Sequence, residues 1–233
     1  MKKFLIATVV LLGSISLANA EQFRVGVSVM GAGFEADGAK EIFSGSHSSN
    51  TTSTKVTKNT SDEKENAEGA FALGSVFAEY AANDQISIGL SYVPHSSDSE
   101  EAENIQNFQA PAALSGSTKK TNKVKVSFED LVTVYALANV NENVYLKAGV
   151  LQVELITKES LGTGGAYGDT TLDGYTIGIG YNMDLDDGMF ARFEASYMDL
   201  DGATVVNDND ATKSVKADGI TGVGAGISIG KSF

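Results

Sequence analysis

Residues Gly222 to Phe233 read GVGAGISIGKSF, and two incompatible readings compete for them. The first is a phosphate-binding loop, because Gly230-Lys231-Ser232 matches the end of G-x-x-x-x-G-K-[ST]. Counting back, the first glycine of that motif belongs at position 225, which is Ala225. The motif also needs a following helix, whose N-terminus holds the phosphate. No helix-forming segment follows Ser232, so this reading fails on spacing and on context. The second reading is a strand. Val223, Ala225, Ile227, Ile229 and Phe233 share one face, while Gly222, Gly224, Gly226, Ser228, Gly230 and Ser232 share the other. A period of two is the signature of a β-strand.

The same alternation recurs upstream. In GYTIGIGYNM, residues 174–183, Tyr175, Ile177, Ile179, Tyr181 and Met183 oppose Gly174, Thr176, Gly178, Gly180 and Asn182. One face is large and apolar, the other small and polar, as when one face meets lipid and the other a narrow interior. Phe23, Val25, Val27 and Val29 alternate with Arg24, Gly26 and Ser28. Ile86 to Tyr92 alternate in the same way, and so do Met189 to Tyr197. Two further runs, about 70–80 and 124–138, are apolar on both faces, which leaves their orientation open. In the run that starts at Val144, the apolar residues move from even to odd positions after Val150, so a bulge near Val150–Leu151 is expected. With the tail these segments make eight strands.

The first residues, MKKFLIATVVLLGSISLANAEQ, carry Lys2 and Lys3, an apolar run Phe4–Leu12 and the small-residue pattern Ala18-Asn19-Ala20. This is a secretory signal peptide over 1–20, with residues 21–233 as the mature domain. Its apolar run is too short for a spanning helix, which needs about 20 residues. Cleavage removes two of the 17 basic side chains and none of the 30 acidic ones, leaving a formal charge of −15. Such a surface disfavours nucleic acid as a partner. There are no cysteines, so disulfides, metal thiolates and a thiol nucleophile are excluded. An exported chain without an apolar helix spans a membrane only as a closed barrel.

Connections sharpen the expectation. Those at about 35–69, 96–123, 159–170 and 200–217 read as long, and those at 81–84, 139–143 and 184–188 as short. Outer-membrane barrels alternate in this way, with short periplasmic turns and long outer loops. The predicted fold is all-β, an eight-stranded antiparallel up-and-down transmembrane barrel with both ends in the periplasm. The stretch 44–68 is almost without apolar mass, and its Asn-x-Ser/Thr triplets, at Asn50 and Asn59, carry no functional weight in so Ser/Thr-rich a loop. Tyr175 and Tyr181 are six residues apart, about 15 Å of height at the usual tilt, so they do not mark both edges of an apolar band of about 25 Å.

These features, together with SIGLSYVP (Ser87–Pro94) and SYMDLDG (Ser196–Gly202), resemble the small OmpA/OmpW-type outer-membrane barrels over nearly the whole mature chain. The resemblance implies that Val223, Ala225, Ile227, Ile229 and Phe233 form the signal read by the outer-membrane insertion machinery. Lys231 departs from that pattern, where an apolar residue is usual. OmpA itself also carries a periplasmic peptidoglycan-binding domain, and the expectation here is that none follows Phe233. The other expected partner is outer-membrane lipid, and the ligand of the loops is not named by the sequence.

Arg24, Glu79, Lys147, Arg192 and Glu194 are assigned to the inner faces as a lumen charge network. Charges in so narrow an interior must pair. The network is either a plug that holds the barrel rigid or a gate in a narrow pore, and an eight-stranded barrel is just wide enough for side chains to fill. His95 and Ser97 form an H-x-S pair, resembling the His–Ser pair of barrel lipid A deacylases, but no third group orients the base. His47 is a weaker candidate still. The acidic runs Ser97–Glu103 and Asn207–Asp210 lack calcium-loop spacing, as does Asp184-x-Asp186-x-Gly188. The reading is therefore a structural, surface-interacting barrel with no catalytic residue, metal or cofactor. A narrow porin or apolar-solute conduit is the alternative, and a lipid A-modifying enzyme the third.

Overall fold

The computed structural model describes residues 23–43, 55–56, 65–98, 101–109, 117–162, 165–209, 211 and 213–233. The expected signal peptide, His47 and the Asn50 and Asn59 triplets lie outside them. The strands in chain order are β1 (Phe23–Phe43), β2 (Lys55–Val56), β3 (Glu65–Ala81), β4 (Ile86–Val93), β5 (Ser97–Asp98), β6 (Ala102–Gln109), β7 (Ser117–Asn139), β8 (Val144–Leu161), β9 (Thr170–Asp184), β10 (Met189–Val206) and β11 (Lys213–Ser232). Eight of them close a ring. β1 pairs with β3 and β11, β4 pairs with β3 and β7, and β7 to β11 pair in sequence, all antiparallel. The short strands β5 and β6 attach to the outer part of β7, and β2 pairs with β6. Among the described residues no helix is long and apolar enough to cross a membrane, and a closed barrel needs none.

One rim is tight. Asn83 Oδ1 accepts the Gln85 and Ile86 N–H groups at 2.9 and 2.8 Å. Asn141 Oδ1 does the same for Asn143 and Val144, also at 2.9 and 2.8 Å. These Asx turns reverse the chain in few residues. The third turn uses left-handed backbone at Asp187 and Gly188, φ 60° and 74°. Both ends of the barrel domain meet at this rim, where the Phe233 N–H donates to the Phe23 carbonyl at 2.9 Å.

The opposite rim differs from the expected long loops. The loop expected at 200–217 is mostly ladder, because β10 runs to Val206 and β11 starts at Lys213. β1 likewise continues to Phe43 and β3 starts at Glu65. A strand of 21 residues, such as β1, rises roughly 50 Å at 3.3 Å per residue and a 40° tilt, twice the apolar band. Polar sequence does not end a strand when both neighbours still offer ladder partners, so the barrel wall projects beyond the membrane.

The outer face in the membrane zone is apolar and exposed. Val27, Ile88, Val150, Ile177, Phe193, Val223 and Ile227 are each about half exposed or more, between 51 and 64 %. This is the inverse of a water-facing surface and fits a lipid solvent. At the outer edge of this belt the Tyr175 and Tyr197 hydroxyls donate to Asp199 Oδ2 at 2.9 and 3.3 Å, and Tyr92 donates to Asp130. Tyrosine is suited to a boundary where the ring is in lipid and the hydroxyl in water.

The expected bulge at Val150–Leu151 is absent. β8 keeps unbroken register with β9, and Tyr145, Lys147, Leu151 and Val153 all face inward. The apolar residues on both faces have another cause: the interior itself changes from polar to apolar along the barrel. The irregularity sits on β7 instead, between Glu129 and Val132, where Asp130 adopts φ 52°. It turns Phe128 inward below the shift in sequence and Leu131, Thr133, Tyr135 and Leu137 inward above it. The orientation of β3 is also settled, with Phe71, Leu73, Phe77 and Glu79 buried.

Candidate functional site: a closed lumen

The lumen is built in tiers, which the inward residues of β10 show from the tight rim outward: Phe190, Arg192, Glu194, Ser196, Met198 and Leu200. Nearest the tight rim is an ionic tier. Arg192 donates to both oxygens of Glu79, Nη1 to Oε1 at 2.5 Å and Nη2 to Oε2 at 2.7 Å. Its Nε donates to Asn182 Oδ1 at 3.1 Å. The side chains of Arg192 and Glu79 are 5 and 1 % exposed. The guanidinium also lies 4.5 Å from the Phe190 ring centre and 5.4 Å from that of Tyr145. Planar guanidinium is suited to this site, because it pairs bidentately and stacks on rings at once.

A second pair sits beside it. Lys147 Nζ donates to Glu194 Oε1 at 2.8 Å, and the Tyr145 hydroxyl donates to Oε2 at 2.9 Å. The Tyr135 hydroxyl donates to Glu79 Oε1 at 2.9 Å, and Lys147 stands over the Tyr135 ring at 4.5 Å. Each carboxylate thus has a cation and a phenol. That saturation is what permits charges in a narrow interior.

Small residues make the room for the rings. A Cβ on Gly180 would lie 2.1 Å from the Tyr145 ring, and one on Gly89 2.4 Å from the Tyr135 ring. Gly26 and Gly230 stand in the same relation to Phe77 and Phe190, both at 2.4 Å. The inward glycines are therefore seats for aromatics from adjacent strands.

Above the ionic tier is a small polar chamber of about 80 Å³, lined in part by Ser28, Ser75, Ser91, Thr133, Thr176, Ser196 and Ser228. It is large enough for a few waters, each needing about 10–15 Å³. Above that is an apolar tier of Phe34, Phe71, Leu73, Val93, Phe128, Leu151, Val153, Leu172, Met198, Leu200 and Ile220. Phe34, Phe71 and Phe128 pack mutually with centroids 5.3 to 6.0 Å apart, Phe34 stacked on Phe128 and Phe71 edge-on to both. The remaining void there is about 20 Å³, one water in size.

The charged residues singled out in the sequence divide. Glu79, Lys147, Arg192 and Glu194 come together. Arg24 stands opposite Glu79 in the register of β1 and β3 but forms no ion pair with a described residue. Glu79 already spends both oxygens on Arg192, which reaches it across the lumen. Tyr135, Tyr145 and Asn182 complete the network and were not singled out. Tyr145 had a visible signal, since it shares the face of Lys147. Tyr135 had none, being hidden behind the β7 irregularity. The tail residues Val223, Ala225, Ile227 and Ile229 face outward, and Phe233 is 51 % exposed, with Lys231 over its ring at 5.8 Å.

His95 and Ser97 do not address each other. The Gly74 N–H donates to His95 Nε2 at 2.8 Å, and Ser97 Oγ donates to the Ala72 carbonyl at 3.4 Å. Outside the lumen, Asp98 is paired with Lys125 at 2.6 Å and Lys158 at 2.9 Å, and these hold its carboxyl well below the usual range. Among the described residues no group of three or more His, Cys, Asp or Glu is placed to hold a metal ion.

No protein-family model matches the chain, and no curated protein does. Solved structures do. The outer membrane protease OmpT of Escherichia coli is 8 % identical over 92 % of this chain and 98 % of its own, with a TM-score of 0.40. Ail, the attachment invasion locus protein of Yersinia pestis, solved with the heparin analogue sucrose octasulfate, is 14 % identical over 89 and 99 %, with a TM-score of 0.38. The outer membrane protein OprG of Pseudomonas aeruginosa is 12 % identical over 90 and 99 %, with a TM-score of 0.39. The chain itself closes a ring of eight strands, with an apolar belt turned outward and charges turned inward. The chain is a small eight-stranded outer-membrane β-barrel, with lipid as the solvent of its outer face.

Proposed function

We propose that this barrel is a sealed structural and surface-presenting element of the outer membrane. The observation that carries the reading is the double closure of the lumen. The Glu79–Arg192 bridge spans it at one level, and the apolar tier fills it at another. An ion crossing that tier would lose its hydration without gaining a partner. The wall rises beyond the membrane on one side only, and the mature chain carries a charge of −15, so it presents an acidic surface to the exterior. Single-channel recording in planar bilayers tests the reading. A silent barrel is expected, and steps of reproducible conductance that change with Arg192→Ala would overturn it.

The second reading, a conduit for small apolar solutes, draws on the apolar tier. Its void of about 20 Å³ is far below the roughly 150 Å³ that takes up benzene. A conduit therefore requires the tier to open, and apolar dye partitioning into the lumen would favour it. The third reading, a lipid A-modifying enzyme, needs His95 as base to Ser97. Their hydrogen bonds go instead to the backbone of β3.

A further inference from the structure

One seam of the wall loses its strand pairing part-way up, where β3 meets the chain after β4. The two strands pair from Ala81↔Ser87 to Val76↔Tyr92. Two residues beyond Val76↔Tyr92 the same register sets Gly74 against Pro94, and proline has no N–H to give. The backbone then leaves β3, and Ser97 and Asp98 pair with Phe128 and Ser127 of β7 instead. Two side chains take the place of the missing rungs. His95 Nε2 accepts the Gly74 N–H at 2.8 Å, and Ser97 Oγ donates to the Ala72 carbonyl at 3.4 Å. Directly behind the seam is the apolar tier, where Leu73, Val93 and Phe71 share a lining with both His95 and Ser97.

The hydrogen bond dictates the state of the ring. Nε2 is an acceptor, so the imidazole is neutral and its proton is on Nδ1, which points at the Ser96 carbonyl 3.2 Å away. A proton on Nε2 would leave two donors facing each other across the seam. We propose that His95 is a proton-operated latch in the barrel wall: neutral, it ties β3 to the segment after β4; protonated, it releases Gly74 and the seam loosens over the apolar tier. Neighbouring charges are already committed. On β5, Asp98 is held by Lys125 and Lys158. On β7, Asp130 accepts from Tyr92, and Glu129 accepts from Ser127 with Lys158 at 4.0 Å. On β3, residues 69–78 carry no titratable side chain. His95 is thus the titratable group of the seam not already held by a counter-charge, and histidine is the side-chain type suited to a proton-driven switch between about pH 5 and 8.

Amide hydrogen exchange of the 15N-labelled mature protein, folded in lipid nanodiscs, tests the latch. Gly74 is read against Ala78, which sits in the regular ladder opposite Leu90. After correction for intrinsic rates, protection at Gly74 is expected to fall at least about fivefold relative to Ala78 between pH 8 and pH 5, the loss of one hydrogen bond. In His95→Gln the amide oxygen supplies an acceptor that does not titrate, so Gly74 stays protected at both pH values. In His95→Ala it is unprotected at both. Wild-type Gly74 tracking Ala78 across the range would overturn the proposal. So would His95→Gln losing protection with pH as wild type does, because another group would then carry the titration.

Discussion

The bridge between Glu79 and Arg192 gives the sharpest prediction. Glu79→Gln keeps the shape of the side chain and removes its charge. Arg192 then remains with a side chain 5 % exposed and no counter-charge in contact. Two routes give the magnitude. Opposite unit charges about 4 Å apart attract by about 4 kcal/mol at an effective dielectric constant of 20. Removal of one partner of a buried pair costs about 3–5 kcal/mol. The expected loss is therefore about 3 kcal/mol or more, over a hundredfold in the folding equilibrium. The control is Glu79→Leu with Arg192→Met, which removes both charges and keeps most of the volume. It should lie within about 1–2 kcal/mol of wild type and clearly above the single variant. The chain has no tryptophan, so urea unfolding in lipid vesicles is followed by the different gel mobility of folded and unfolded barrel. A single variant within about 1 kcal/mol of wild type would refute the reasoning, as would a double variant less stable than the single one.

Three further outcomes follow from the same geometry. Gly180→Ala places a methyl 2.1 Å from a Tyr145 ring that is pinned by Glu194 and covered by Arg192, so it should cost about 1–3 kcal/mol in the same assay. Ile227→Arg puts a charge on the lipid face, where its residue is 59 % exposed, and should cost about 2–4 kcal/mol in vesicles. Glu159 lies on the outer extension of β8, where burial first, and then Asp208 and Asp169, raise its pKa although the Tyr167 N–H opposes them. A carboxyl raised on folding adds stability that is full below its unfolded pKa and is lost as pH rises through the folded value. Glu159→Gln should therefore raise the thermal midpoint at pH 8 and leave it unchanged near pH 4. An equal shift at both pH values would count against this assignment.

Much of the barrel was legible as pattern. Alternation in 174–183 and 222–233 is a local consequence of strand geometry, since successive side chains point to opposite faces whatever the neighbours are. The same reasoning put Arg192 and Glu194 on the inner face beside Ser196, and the structure places them there. It failed at Val150–Leu151, because a change of interior polarity and a change of phase look alike in one strand. Only the unbroken register of β8 against β9 separates them. It failed again at Arg24, whose register partner Glu79 is taken by a residue 113 positions away in the chain.

The sequence by itself determined the eight barrel strands, the inward and outward faces of those that alternate cleanly, and the membrane as their solvent, because each depends on periodicity and composition within a few residues. Tertiary structure alone decided which charges pair, which glycine seats which ring, and what His95 and Ser97 do. Closing eight strands with a fixed stagger sets the heights at which inward side chains meet across the lumen. No local pattern carries that stagger. The H-x-S pair shows the difference: adjacent in sequence, it reads as a candidate catalytic couple, and in the closed barrel its two side chains stand in for two missing rungs of the wall.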